Sequence, residues 1–209
     1  MKVVVIADTH GFQQRLTIPA ADVLVVAGDI CPFGTLEEIN EFSNWLREQS
    51  CKHKIVVAGN HDAPFELEQE LAQDALIGGA PGIIYLQDNS VKIDDVLFYG
   101  SPWTPTFMEW HFMADRGAQI REKWEMIPED TDVLITHGPP STILDRVRGV
   151  PLGCHDLLET VLRIRPRYHL FGHIHETYGV TRRNGIIFIN ASVCDGRYRP
   201  ANEPIVFDL

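Results

Sequence analysis

Short apolar runs of strand length recur along the chain, and each ends at polar or glycine-containing sequence. They cover residues 3–7, 23–27, 55–58, 133–135 and 169–171. Apolar runs of this length, bounded by turn residues, are typical of strands that are buried on both faces. Further strand-like pieces at 83–86, 91–99, 178–182, 186–189 and 205–207 predict a second sheet with antiparallel pairs.

Two segments have the pattern of helices. In TLEEINEFSNWLRE, apolar residues recur at helical spacing, and Thr35 with Glu38 forms a capping-box pattern. A second helix is predicted over residues 157–162, directly before the apolar run at 169–171. Strands that alternate with helices indicate α/β layers. Because no linker, repeat or low-complexity segment interrupts the 209 residues, we predict one domain over 1–209.

Composition and charge limit what the protein is expected to bind and where it is expected to reside. The chain is 44% hydrophobic and 22% charged, as soluble globular proteins are, and its net charge of -11 argues against a broad surface for duplex nucleic acid. The apolar run at 3–7 is too short for a signal peptide or a membrane span. The four cysteines form no CxxC pair, which disfavours a disulfide framework and a thiolate zinc site. We therefore expect a soluble, cytoplasmic protein that binds no membrane.

Each buried run is followed directly by residues that can bind a metal. These residues are Asp8, His10, Asp29, Asn60, His61, His137, His173 and His175. Loops at the carboxyl ends of the strands in an α/β sheet converge on one crevice, so we expect these side chains to meet. Carboxylates and imidazoles suit Mn, Fe or Zn.

One ion could be bound by Asp8, His10 and His175. The other could be bound by Asn60, His137 and His173, with Asp29 placed to bridge the two ions. The alternative is a set of hydrogen-bonded polar residues in a protein without metal, and a pair of histidines such as those in FGHIHE does not exclude it.

The ordered motifs also carry a family resemblance. They are Asp8-x-His10, Gly28-Asp29, Gly59-Asn60-His61-Asp62, His137-Gly138 and Gly172-His173-x-His175. This series resembles the calcineurin-like metallophosphoesterase superfamily over nearly the whole chain. The segments GSPWTP, IREKW, DTDVLITHGPP, FGHIHE, INAS and EPIVFDL resemble the narrower metallophosphoesterase-domain (MPPED) group of metal-dependent phosphodiesterases. The resemblance implies a four-layer αββα sandwich of two mixed β-sheets flanked by helices, a dinuclear metal site and hydrolysis of phosphoester bonds.

Two positions in this resemblance bear on whether the chain is a working enzyme. The MPPED group can have glycine where this chain has His173, so the ligand set here is complete, which favours a working enzyme. Many members of the superfamily have an acid, which supports the catalytic histidine, at the position of Pro32. Whatever orients His61 in this chain must therefore come from elsewhere.

The expected mechanism is in-line attack on phosphorus by a hydroxide that bridges two metal ions. His61 is the candidate general acid for the leaving group, with a structural histidine bound to a backbone carbonyl as the alternative. Asp62 could orient a neighbouring ligand or cap a following turn.

Candidate substrate contacts lie in two segments. Trp103 and His111 fall in an aromatic and arginine-containing stretch that could stack a base and hold a phosphate. The favoured interpretation of this stretch is that Trp110, Phe112 and Met113 anchor a covering helix to the core. Arg146 and Arg148, in the loop after THGPP, could reach a phosphoryl group or could be solvated.

The sequence thus predicts a phosphodiesterase that uses two divalent ions, with Mn expected first and Fe or Zn as alternatives. Its expected substrates are small phosphodiesters, with cyclic nucleotides among the candidates. The alternatives are a phosphomonoesterase acting on nucleotides or phosphoproteins, and a weakly active regulatory protein that binds metal and nucleotide. The sequence indicates no oligomeric state.

Overall fold

The computed structural model describes residues 1–209. Its strands, in chain order, are β1 (Lys2–Ile6), β2 (Val23–Ala27), β3 (His53–Val57), β4 (Ile83–Tyr85), β5 (Asn89–Ile93), β6 (Val96–Ser101), β7 (Thr104–Pro105), β8 (Met113–Ala114), β9 (Val133–Thr136), β10 (Arg146–Val147), β11 (Val150–Pro151), β12 (Tyr168–Phe171), β13 (Gly179–Arg183), β14 (Ile186–Asn190) and β15 (Ile205–Asp208). Its α-helices are α1 (Leu36–Glu48), α2 (Pro64–Leu67), α3 (Gln69–Ile77), α4 (Ala118–Glu125) and α5 (His155–Ile164), and short 3-10 helices span Gln13–Arg15 and His175–Thr177.

The strands form two mixed sheets. The first has the order β15-β1-β2-β3-β4, in which β1 to β4 are parallel and β15 is antiparallel to β1. The second has the order β13-β14-β12-β9-β6-β5, with a parallel centre and antiparallel strands β13 and β5 at its edges. Two short ribbons, β7-β8 and β10-β11, lie outside the sheets.

Alternating residues on the strands build three apolar layers. Val3 and Val25 of the first sheet pack in one cluster with Val133 and Leu170 of the second, so the sheets lie face to face. Val4 and its neighbours on the opposite face of the first sheet pack with residues of α1 and α3. The outer face of the second sheet packs in the same way against α4 and α5. The predicted four-layer αββα sandwich is confirmed.

The assignment of strands to sheets differs from the prediction. Runs 133–135 and 169–171 lie in the second sheet. Pieces 83–86 and 205–207 join the first sheet, so the prediction that these two pieces belong to the second sheet is wrong. The piece at 91–99 contains two strands, because the chain turns between β5 and β6 and pairs with itself. An apolar run indicates that a strand is buried, but it does not indicate which sheet buries it.

The two predicted helices are present. The Thr35 hydroxyl accepts a hydrogen bond from the Glu38 amide, and the Glu38 carboxylate accepts one from the Thr35 amide, which completes the capping box of α1. The second predicted helix is α5. All four cysteines are free and buried. None of the helices combines the length and the apolar character that crossing a membrane requires.

Candidate metal centre

The loops that follow β1, β2 and β3 meet those that follow β9 and β12 at one edge of the sandwich. Three groups of possible ligands result: Asp8 with His10 and His175, His10 with Asp29 and His61, and Asp29 with His137 and His173. Within each group the ligand-type atoms lie within 4.8 Å of one another. The first and third groups each combine residues from both sheets, so the centre forms where the two sheets meet.

Several of these residues adopt a backbone conformation that side chains other than glycine rarely take. The φ angles of Asp8, His10, Asp29 and His173 are 55°, 42°, 55° and 67°. This left-handed region is unfavourable for residues with a Cβ atom, and such residues cluster at functional sites. The fold therefore holds the side chains of the centre in place at a conformational cost.

Two glycines allow the loops to approach these side chains closely. A Cβ atom at Gly28 would lie 2.3 Å from His137 Nδ1, and one at Gly172 would lie 2.2 Å from Asp8 Oδ2. Both distances are too short for nonbonded atoms. Only glycine fits at these two positions while Asp8 and His137 keep their places.

Backbone carbonyls orient two of the imidazoles. His137 Nδ1 lies 3.0 Å from the Ala27 carbonyl oxygen, and His175 Nδ1 lies 3.2 Å from that of Asp195. A carbonyl oxygen can only accept, so each Nδ1 carries a proton and donates it. The Nε2 atoms therefore face the centre, where His137 Nε2 is 2.9 Å from Asn60 Oδ1. Hydrogen bonds of this kind hold histidines that bind metals.

The electrostatics of the centre favour positive charge. Burial alone would raise the pKa of Asp29, but the charges of His137 and His10 outweigh it and hold that pKa far below its usual range. Burial would lower the pKa of His137, and the nearby Asp29 carboxylate instead raises it to about 9. The pKa of Asp8 is lowered too, because the charge of His175 outweighs its burial. Two buried ionised carboxylates thus attract cations into this site.

The donor set fits divalent transition metals. Carboxylate oxygens and neutral imidazole nitrogens are the ligands expected for such ions. Burial lowers the pKa of His173 to about 4, so this imidazole is neutral at pH 7 and can bind a metal. His10 Nδ1 is buried without a hydrogen-bond partner. The predicted residues are thus brought together, and their roles as ligands remain predictions.

His61 is oriented by neutral groups. Its Nδ1 lies 3.1 Å from the carbonyl oxygen of Pro32 and donates to it, which leaves Nε2 free. The ring of Trp110 packs against it with centroids 4.3 Å apart, and His10 contacts it edge-on at 4.6 Å. The backbone carbonyl of Pro32 therefore orients His61, a contact that fits both the general-acid and the structural interpretation of this histidine.

Asp62 joins the loops that follow β2 and β3. Its buried carboxylate accepts hydrogen bonds from the amides of Gly59 at 2.8 Å, Cys31 at 2.9 Å and Ile30 at 3.3 Å. Burial and the charge of Asp29 raise the pKa of Asp62 to about 6. Of the two interpretations from the sequence, the structure therefore favours the orienting one.

A cavity of about 390 Å³ opens beside the centre. Its apolar wall consists of Phe107, Met108, Trp110, Val147, Leu152, Ile174 and Tyr198. Arg116 and Glu176 also line it, but the Arg116 guanidinium donates to the carbonyl oxygens of Leu152 at 2.8 Å and Gly153 at 2.9 Å. The cavity therefore has no arginine free of protein hydrogen bonds.

The substrate contacts predicted from the sequence lie elsewhere: none of Trp103, His111, Arg146 and Arg148 lines the cavity. Other groups hold three of these side chains away from it. Trp103 Nε1 donates to Asp88, His111 pairs with Glu66, and Arg146 donates to the Gly149 carbonyl, while Arg148 is exposed at the turn of the β10-β11 ribbon.

Trp110 and Tyr198 line the cavity instead. The interpretation of Trp110 as a core anchor is wrong, because this side chain is 38% exposed and packs on His61, and no helix covers this segment. Phe112 of the same stretch is buried in the core, as expected. Nothing in the sequence around Tyr198 indicated a site. The aromatic stretch that contains Trp110 could have indicated a substrate site, but its pattern also fits a buried helix.

A four-layer αββα sandwich with carboxylates and imidazoles where its sheets meet is the arrangement expected of a metallophosphoesterase. Residues 1–177 match the calcineurin-like phosphoesterase family, and the chain belongs to that family of metal-dependent phosphoester hydrolases. The predicted resemblance is thereby confirmed.

Two known relatives are similar in sequence to this chain over nearly its full length. The chain is 41% identical over 230 residues to human "Metallophosphoesterase domain-containing protein 1", an alignment that covers 99% of this chain and 70% of the relative. It is also 41% identical to a UPF0046 protein of Caenorhabditis elegans, covering 99% of this chain and 74% of that protein.

Solved structures share the fold. A Thermus thermophilus protein has a TM-score of 0.62 at 14% identity, over 90% of this chain and 88% of the other. A structure described as a novel archaeal phosphodiesterase has a TM-score of 0.52 at 19% identity, over 100% of this chain and 93% of the other.

Proposed function

We propose that this protein is a phosphodiesterase that hydrolyses small phosphodiesters with two divalent metal ions. The proposal rests on two clusters of carboxylate and imidazole side chains that lie on either side of Asp29. Both clusters lie at the base of a cavity with an apolar wall. The phosphodiesterase description of the archaeal structural neighbour supports the same chemistry.

In this proposal, Asp8, His10 and His175 hold one ion, and Asn60, His137 and His173 hold the other. Asp29 lies between the two groups, with Oδ2 at 3.8 Å from His10 Nε2 and 3.3 Å from His137 Nε2, and would bridge them. The ions, Mn first among the candidates, would supply a nucleophile from water and neutralise charge on the phosphoryl group.

His61 would donate the proton that the leaving oxygen needs. Its Nδ1 proton is engaged by the Pro32 carbonyl, so the proton that can be transferred is on Nε2. The packing of Trp110 and His10 on the ring fixes its direction. General acids of this kind contribute about 10²- to 10⁴-fold in rate.

The charge of the cavity supports a diester rather than a monoester. A phosphomonoester carries a charge of about -1.5 to -2 at neutral pH, whereas a diester carries one negative charge. Arg116 and Glu176 on the wall carry opposite charges, so together they add no net positive charge that would favour a doubly charged monoester. The rings of Phe107, Trp110 and Tyr198 suit an aromatic or apolar ester group, and the base of a cyclic nucleotide would provide one.

The test is hydrolysis by metal-stripped protein, with and without added Mn²⁺, Fe²⁺ or Zn²⁺, of bis(p-nitrophenyl) phosphate beside p-nitrophenyl phosphate. We expect metal-dependent turnover that favours the diester, followed by activity in a screen of cyclic nucleotides. Preference for the monoester would replace the proposal with a phosphomonoesterase, and no turnover with bound metal would favour a regulatory binding protein.

A single substitution tests the ligand assignment. His173→Gly should lower the metal content and reduce turnover strongly, because it removes one imidazole from the second group. His155→Gln is the matched control, since His155 is exposed on α5 and pairs only with Glu159. Unchanged metal content and activity in His173→Gly would remove this assignment.

A further inference from the structure

A loop outside the family match reaches the metal centre. The loop at 194–200 lies beyond the matched residues 1–177 and closes on itself through pairing of Cys194 with Pro200. The Asp195 carboxylate accepts hydrogen bonds from the amides of Arg197 at 2.9 Å and Arg199 at 3.1 Å, and it also pairs with the Arg199 guanidinium. These bonds give the loop a defined shape although it lies at the surface.

The same loop makes two contacts with the centre. The Asp195 carbonyl oxygen orients His175, and the ring of Tyr198 packs against both His10 and His175 with centroids 4.9 Å apart in each case. Tyr198 lies 6.2 Å from the ring of His61 as well and lines the cavity. Its side chain is therefore beside the imidazoles and open to whatever enters the cavity.

A purely structural role does not explain a tyrosine at position 198. Its φ of 55° is a strained conformation for a bulky residue, and its side chain is 51% exposed, so burial in the core does not offset the strain. A residue held in such a conformation at the mouth of a site points to a functional role. A tyrosine there offers a neutral hydroxyl that can donate a hydrogen bond.

We propose that Tyr198 binds the substrate's phosphoryl group, with its hydroxyl donating a hydrogen bond to a nonbridging oxygen. This inference rests on the proposed function. The ring lies beside two imidazoles assigned to one ion, and the other strong donor of the wall, Arg116, is already engaged by the carbonyl oxygens of Leu152 and Gly153. Tyr198 therefore offers an uncharged donor next to the centre, on a ring that packs against two of its imidazoles.

Tyr198→Phe removes the hydroxyl and keeps the ring. We expect kcat/KM for bis(p-nitrophenyl) phosphate to fall by about tenfold to a hundredfold, as for loss of one hydrogen bond to a charged oxygen. The affinity of the metal-loaded protein for inorganic phosphate, measured by calorimetry, should fall by a similar factor. The metal content should stay unchanged, because the substitution removes no ligand.

Tyr178→Phe is the matched control. It removes a tyrosine hydroxyl from the same C-terminal part of the chain, where Tyr178 donates to the Glu203 carbonyl at 2.9 Å away from the cavity, and should leave activity and phosphate affinity unchanged. Wild-type phosphate affinity in Tyr198→Phe would overturn the inference, whatever the effect of Tyr198→Ala. So would a wild-type protein that binds metal but no phosphate.

Turnover and phosphate binding separate the two proposals. If the wild type hydrolyses neither ester, the proposed phosphodiesterase function fails. The comparison of phosphate affinities in wild type and Tyr198→Phe still decides whether this hydroxyl contacts a phosphoryl group.

Discussion

His169 provides a sharp test of how burial controls ionisation in this fold. It lies fully buried on β12, with its ring centroid 5.1 Å from that of Phe171 and 5.8 Å from that of Phe188. The Thr136 hydroxyl donates to the Gly138 carbonyl at 2.7 Å, so His169 Nε2, 2.8 Å away from that hydroxyl, must be the donor between them. His169 Nδ1 is left buried with no partner.

Protonation of Nδ1 would place an unpaired charge in the core. Burial accordingly lowers the pKa of His169 from 6.5 to about 3. Between these two values the unfolded chain binds a proton that the folded protein does not, so the free energy of unfolding falls as the pH falls. The slope is about 1.4 kcal/mol per pH unit, which gives a loss of about 2 kcal/mol at pH 5.0. Well above pH 6.5 this residue adds no pH dependence, because the imidazole is then neutral in both states.

The assay is urea unfolding of chelator-treated wild type and His169→Gln at pH 7.5 and pH 5.0. Glutamine retains an amide donor for Thr136 but does not titrate, so the variant should lose about 2 kcal/mol less than wild type on acidification. His155→Gln, with an exposed histidine replaced, should behave like wild type. An equal loss in wild type and His169→Gln would refute the reasoning.

Three further substitutions test the centre. Trp110→Leu removes the ring that packs on His61, so we expect kcat to fall about tenfold or more for alkyl esters and little for p-nitrophenyl esters, whose leaving groups need no proton. Gly172→Ala should displace Asp8, because the new Cβ would meet Oδ2, and metal analysis should show a lower metal content; full metal content would contradict the packing argument. Asp62→Ala leaves three amides without an acceptor and should weaken metal binding about 10- to 100-fold in a chelator competition, whereas wild-type affinity would show that these bonds do not orient the ligands.

The fold could be predicted where burial alone decides the pattern. Apolar runs and the capping box of α1 located the central strands and a helix because these signals are local. Sheet membership depends on pairing between distant parts of the chain, such as Lys2 with Asp208. No local pattern encodes that pairing, which is why β15 was expected in the wrong sheet.

The same distinction applies to the site. Polar residues that follow buried strands could be expected to meet, since strand ends share an edge of the fold. The Pro32 carbonyl could not be predicted as a partner of His61, because any residue has a carbonyl and only the course of the backbone brings this one close. Tyr198 was missed for a similar reason, as its loop returns to the centre from the C-terminal part of the chain.

The position of the centre where the sheets meet also has a mechanical consequence. Asp8 and His10 follow a strand of the first sheet, whereas His175 follows one of the second, so an ion held by all three would tie the sheets together. The sheets could then separate only after the ion is released, and a ligand that binds the closed form alone slows local opening. Chelation should therefore accelerate amide hydrogen exchange in β1 and β12 together, although their amides contact no metal.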